Sequence, residues 1–222
     1  MLRSVDPVYW FCRFSTLTTL LLWTSTFGAA TPVAQMDLRN AVIVTPETLS
    51  THERSAVDML VDEVSKRSLV RWPEIHAWPG SARTVVWIGQ SAALRILPAA
   101  IGESFGPFES EEGAEGYSLF SRSNRENKHA VFVVANDERG ILFGCGRLLR
   151  ELYMSRDSVA LPVGLNIRTA PAYPIRGHQL GYRPKVNSYD GWTVPMWEQY
   201  FRDLAVFGSN SVELIPPRSD DD

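Results

Sequence analysis

The stretch APAYPIRGHQLGYRPKVNSYDGW, Ala170–Trp192, divides the chain into two segments of different character. Pro171 and Pro174 stand at its start, and prolines so closely spaced read as a link between structural units. IRGHQLGY (Ile175–Tyr182) then reads as a strand, and the loop Gly181–Thr193 that leaves it is crowded with Arg, Tyr, Asn, Asp and Trp. That mixture is costly to bury and unneeded on a plain surface, so it marks where a site is to be sought.

Beyond the loop, Thr193 and Pro195 open a helix, with proline in the first turn where its missing N–H costs nothing. Trp197, Tyr200, Phe201, Leu204 and Phe207 recur as its expected buried stripe, and Gly208 stands where a C-cap glycine belongs. SVELI (Ser211–Ile215) follows as a second strand, stopped by Pro216 and Pro217. Strand, helix and strand with tight joints make a βαβ unit whose strands are parallel neighbours. Parallel sheets are found covered on both faces, which one helix cannot do for two strands. The expected architecture is therefore the first β-α-β of a (β/α)₈ barrel, a fold of about 250 residues, with residues 175–222 as its incomplete start.

Working back from Ala170, AVIVT (Ala41–Thr45) reads as a buried strand, and Ser50 with Glu53 has capping-box spacing. Val57, Leu60, Val61 and Val64 predict a helix from Thr51 to about Arg67, with Arg54, Asp58, Glu63 and Arg67 on its solvated face. RTVVWIG (Arg83–Gly89) is a second strand, and ESEEGAEG (Glu109–Gly116) reads as an exposed acidic turn. GYSLFSR (Gly116–Arg122) and AVFVVA (Ala130–Ala135) form a hairpin. In NDERGILFGCGRLLRELY (Asn136–Tyr153), Asn136 or Asp137 caps a helix striped by Ile141, Leu142, Cys145, Leu148, Leu149 and Leu152. Gly144-x-Gly146 is no dinucleotide fingerprint, because it falls in the helix body and position 149 is Leu. Gly140 and Gly144 share a helix face and predict close approach to a sheet. LPVGLNI (Leu161–Ile167) is the last strand or the exit. The fold class is thus α/β: a small α+β accessory domain over 36–165 with four or five strands and two main helices, a linker over 166–174, then the barrel start.

The ends and the bulk numbers bound the function. Phe14–Ala30 is an uncharged apolar run of 17 residues ending in small residues, so residues 1–30 read as a cleaved signal peptide rather than a span. The expected location is secreted or periplasmic, with no stable membrane span after cleavage. Cys12 would leave with the signal, and Cys145 reads as a small core residue. The net charge of -3 gives no basic stripe for nucleic acid. The four histidines and two cysteines are too dispersed for a metal site, and no cofactor motif is present. RSDDD (Arg218–Asp222) reads as a solvated loop. Nothing in the sequence sets the oligomeric state.

The run VANDERGILFGCGRLLREL (Val134–Leu152), followed by a linker and PIRGHQLGY (Pro174–Tyr182), resembles secreted glycoside hydrolases in which a small α/β domain precedes a (β/α)₈ catalytic barrel. Bacterial family 20 β-hexosaminidases and the α-glucuronidases have this layout, with a pre-barrel helix similar to the D-x-R-G-x-x-F-G of Asp137–Gly144. Two departures stand out: GHQLGYRP replaces the hexosaminidase LDxxR motif, and the glucuronidase His-Trp-Asp run is unmatched beyond His178. The resemblance implies O-glycosyl hydrolase chemistry on a carbohydrate substrate, with the catalytic acid pair on barrel strands later than those present here. This chain alone is then expected to be inactive.

Residues alternate on a barrel strand, so Arg176, His178 and Leu180 share one face and Gly177, Gln179 and Gly181 the other. Arg176 and His178 supply donors suited to sugar hydroxyls, while Tyr182, Tyr189 and Trp192 offer aromatic faces on the loop at the strand's carboxyl end, where barrel sites are built. Glu213 is a charge inside a strand. It is either a further substrate contact or the buried partner of Arg176. The alternative function from another class is a stand-alone carbohydrate-binding or adaptor protein.

Overall fold

The computed structural model describes residues 34–80, 84–94, 97, 99–105, 113–126, 128–180 and 188–214. The signal-peptide segment, Tyr182 and the terminal RSDDD lie outside the described residues. In chain order the elements are β1 (Gln35–Asp37), β2 (Val42–Val44), α1 (Thr51–Ser68), β3 (Glu74–Ile75), β4 (Val85–Gln90), α2 (Ser91–Leu94), α3 (Ala99–Phe105), β5 (Tyr117–Ser123) and β6 (His129–Ala135). They continue with α4 (Glu138–Glu151), β7 (Tyr153–Ser155), β8 (Ser158–Pro162), β9 (Asn166–Thr169), β10 (Gly177–Leu180), a 3₁₀ turn at Ser188–Gly191, α5 (Val194–Val206) and β11 (Ser211–Leu214).

The caps form as their chemistry requires. The Ser50 side chain accepts from Glu53 N–H while the Glu53 carboxylate accepts from Ser50 N–H, which closes the start of α1. Asp137, rather than Asn136, caps α4 by accepting from Gly140 N–H at 2.7 Å.

Among the described residues, six strands form one sheet in the order β3-β2-β4-β6-β5-β9, and β1-β8-β7 form a small antiparallel one. Strands β3, β2, β4 and β6 are parallel; β5 and β9 complete an antiparallel edge. The parallel part is covered on both faces, as its uniformly apolar strands require. Val57, Leu60 and Val64 of α1, with Ile141, Cys145 and Leu148 of α4, pack on Ile43, Val86, Ile88, Val131 and Val133. On the opposite face Trp87, Phe120 and Phe132 meet Phe105 and Trp78.

Two expectations need revision. The accessory domain holds nine strands among the described residues, not four or five, because β1, β3, β7 and β9 span only two to four residues, too few for a period of two to stand out in the sequence. Residues 166–169, assigned to the linker, instead form β9 and pair with Tyr117–Phe120. The βαβ unit is present as expected, with β10 and β11 parallel. It does not stand apart: Val33–Asp222 is one compact unit, in which α5 rests on α4.

Candidate functional site

Strands β10 and β11 run in register, with His178 beside Val212 and Gln179 beside Glu213. Alternation puts the first pair on one face of the strands and the second pair on the other. His178 faces the helix, because its Nδ1 shares a hydrogen bond with the Tyr200 hydroxyl of α5. Gln179 and Glu213 therefore point away from α5, and both are exposed. In a barrel, whose helices lie outside, theirs would be the interior face. Among the described residues, no hydrogen bond or ion pair reaches the Glu213 carboxylate. Periodicity alone could separate the two faces of this strand but not say which turns inward, and Gln179 was missed for that reason.

Trp192 follows the 3₁₀ turn and packs edge-on against Trp197 at 4.9 Å, with Tyr200 at 5.2 Å and Tyr189 at 6.4 Å. The structure thus joins His178 and Trp192 through Tyr200 and sets them apart from Gln179 and Glu213. No described residue shows where Tyr182 lies.

Arg176 occupies a third place. It immediately precedes β10, and each of its three guanidinium nitrogens is engaged. Nη2 pairs with Glu115 Oε2 at 2.6 Å, Nε donates to the Gly208 carbonyl at 2.8 Å, and Nη1 donates to the Tyr173 carbonyl at 3.0 Å. Its plane lies over the Phe143 ring, 4.9 Å from the centroid. The charge pair with Glu213, the alternative to a substrate contact, does not form. Glu213 sits level with Gln179, three residues further along, and Glu115 has already taken the guanidinium.

Glu115 is the residue that sequence reasoning placed furthest from its role. Its place in a glycine-broken acidic run predicts an exposed turn, yet it is 6% exposed and in the left-handed region at φ 60°. A carboxylate in a glycine-broken acidic run carries no periodic signal of burial. Its partners come from residues 24, 61 and 95 positions away: Arg139, Arg176 and Asn210. Burial opposes its ionisation, but hydrogen bonds from those three side chains outweigh that and hold its carboxyl below the usual range. The same balance applies to Glu63, where Arg67 and Lys66 overcome burial, and to Glu74, where Arg54 and Thr45 do.

These three carboxylates give a pH dependence of known sign. Their folded-state pKa values lie below the unfolded one, so their stabilisation is complete above about pH 4.3 and is lost as pH falls through the folded values. Denaturant midpoints measured from pH 7 down to pH 3 are expected to fall only in the acid part of that range. Glu115→Gln should lower the midpoint at pH 7 and make the acid decline shallower; an unchanged acid slope would refute the assignment.

Among the described residues, no group of three or more His, Cys, Asp and Glu is placed to hold a metal, and no helix is long and apolar enough to cross a membrane. No protein-family model matches the chain, and no curated protein matches it by sequence. Solved structures do match in fold. CpGH84B is similar with a TM-score of 0.54 at 16% identity, over 84% of this chain and 28% of that one. BtGH115A, a family GH115 4-O-methyl-α-glucuronidase with specificity for decorated arabinogalactans, gives 0.52 at 13% identity, over 81% of this chain and 25% of that one. The GH20 β-N-acetylhexosaminidase from Streptomyces coelicolor A3(2) gives 0.52 at 20% identity, over 82% and 32%.

The chain has a fold found in glycoside hydrolases. It spans about a quarter to a third of the length of the structures it matches. Residues 1–176 are 79% of the 222, so a likeness covering 81–84% of the chain has to run on into β10.

Proposed function

We propose that the chain is the amino-terminal portion of an exported glycoside hydrolase, with an accessory domain followed by the opening β10–α5–β11 unit of a (β/α)₈ catalytic barrel. The observation that supports this best is the parallel strand pair with α5 on one face and the exposed Gln179–Glu213 pair on the other. Those two side chains suit a sugar. A carboxylate accepts from two neighbouring hydroxyls, and an amide both donates and accepts. Tyr182 follows the carboxyl end of β10 in sequence, where an aromatic face meets the C–H edge of a ring, whereas Trp192 is held with Trp197 and Tyr200 on the helix side. His178 acts from the helix side by holding Tyr200, and Arg176 serves the junction with Glu115 rather than substrate. The general acid and its partner carboxylate belong to later barrel strands, and their separation decides retention or inversion.

The natural gene product is the protein to test, on aryl N-acetyl-β-glucosaminides and aryl α-glucuronides. Turnover is expected on one of the two, and residues 34–222 alone should stay at background. In the active protein, Gln179→Ala or Glu213→Gln should lower kcat/KM by about tenfold or more with the melting temperature unchanged, since a hydrogen bond to a charged group is worth about 1.5–3 kcal/mol. Absence of turnover on both substrates, or equal turnover by residues 34–222, would overturn the proposal.

A further inference from the structure

We infer that the accessory domain is a docking platform for the β10–α5–β11 unit, and that the Glu115 carboxylate is the joint that fixes β10 on it. Helix α5 buries none of its residues fully. It meets the accessory surface through Arg202 with Asp62 at 3.6 Å and Glu63 at 3.7 Å, and through Lys66 donating to Gln199 at 2.8 Å. The more exposed of these, Arg202–Asp62 and Lys66–Gln199, contribute little each. Closeness does more: a Cβ on Gly146 of α4 would lie 2.8 Å from Val206 Cα, so the bare glycine is what lets the helices approach.

The Glu115 contacts are of another kind. Arg176 reaches the carboxylate from the start of β10, and Asn210 Nδ2 donates to it at 3.1 Å from the start of β11. Asn210 also donates to the Pro174 carbonyl at 2.8 Å, and its Oδ1 accepts from Arg176 N–H at 2.9 Å. One carboxylate thereby ties together the linker and the amino ends of both strands. The accessory domain holds the socket ready. Glu115 N–H donates to Asp137 Oδ2 at 2.7 Å, Asn136 Nδ2 donates to the Gly113 carbonyl at 2.8 Å, and Arg139 pairs with Glu115 from α4. Asp137, Arg139 and Phe143 of the D-x-R-G-x-x-F-G run all serve this joint. It lies at the opposite end of the strand pair from Leu180 and Leu214, so it sets the position of β10 without occupying the candidate site. Removing the carboxylate strands a largely buried Arg176 guanidinium, a loss felt first by the segment that carries it.

The inference concerns folding and holds whatever chemistry the protein performs, so failure of the hydrolase proposal leaves it standing. The test is hydrogen exchange on the full chain with Glu115→Ala. Protection of the amides in β10, α5 and β11 is expected to fall about tenfold further than that of β4 and β6, as for a unit that opens separately. Trypsin should then cut after Arg176 while the wild-type chain resists. Should Glu115→Ala fail to fold, Asn210→Ala reads the same pattern, since Asn210 lies outside the accessory domain. Loss shared equally by β4 and β6, or any differential below that factor, would overturn the inference.

Discussion

Phe132→Ala is expected to lower stability by about 3–5 kcal/mol, and the melting temperature by roughly 6–20 °C, the largest single effect anticipated in this chain. Phe132 is fully buried in β6, a central strand, and its ring is the hub of the second core face. Phe120 stacks on it at 5.1 Å, Phe105 meets it edge-on at 5.9 Å, and Trp78 and Trp87 lie at 6.0 and 6.4 Å. Truncation removes the ring's transfer energy and leaves a cavity walled by rigid aromatics anchored on four different segments, which cannot collapse together. Thermal and urea melts of the two proteins decide it. A loss under about 1 kcal/mol, the range of a volume-conserving swap, would mean that this face repacks.

Gly140→Ala is expected to cost about 2 kcal/mol, although alanine is the better helix former by about 1 kcal/mol. The reason is a single contact. A Cβ at position 140 would stand 2.5 Å from the Gly116 carbonyl oxygen, which is backbone and already accepts from Asn136 N–H at 3.0 Å. Relief requires moving α4 off the sheet or displacing Gly116, and Gly116 carries Glu115 with it. Overpacking of this kind typically costs 1–3 kcal/mol and can cost more, so the clash outweighs the propensity gain. The urea midpoint should fall with the m-value unchanged. A rise in midpoint would show that the helix yields without strain.

Much of the local structure was legible beforehand, for physical reasons that vary by element. The Ser50–Glu53 box, the α1 and α4 stripes and the Asn136–Asp137 capping choice all depend on neighbours within four residues. The close approach of Gly140 and Gly144 to the sheet was also foreseen, since two bare positions on one helix face have few other uses. Glu63 shows the limit. It sits with charged residues on the expected solvated face of α1, yet it is 1% exposed, beside Lys66, Arg67 and Arg202 of α5.

By itself the sequence determined the elements with strong periodicity, the parallel βαβ order at the carboxyl end and the place of the loop worth inspecting. Those properties follow from short-range sterics and from the need to bury apolar faces, both of which are written in residue spacing. Only the tertiary structure decided which face of β10 is turned from the helix, that Arg176 belongs to Glu115 rather than Glu213, and that an acidic turn holds a buried joint. Ion pairing across 61 residues leaves no periodic trace, because the partner of a charge is set by which surfaces meet and not by its neighbours in the chain.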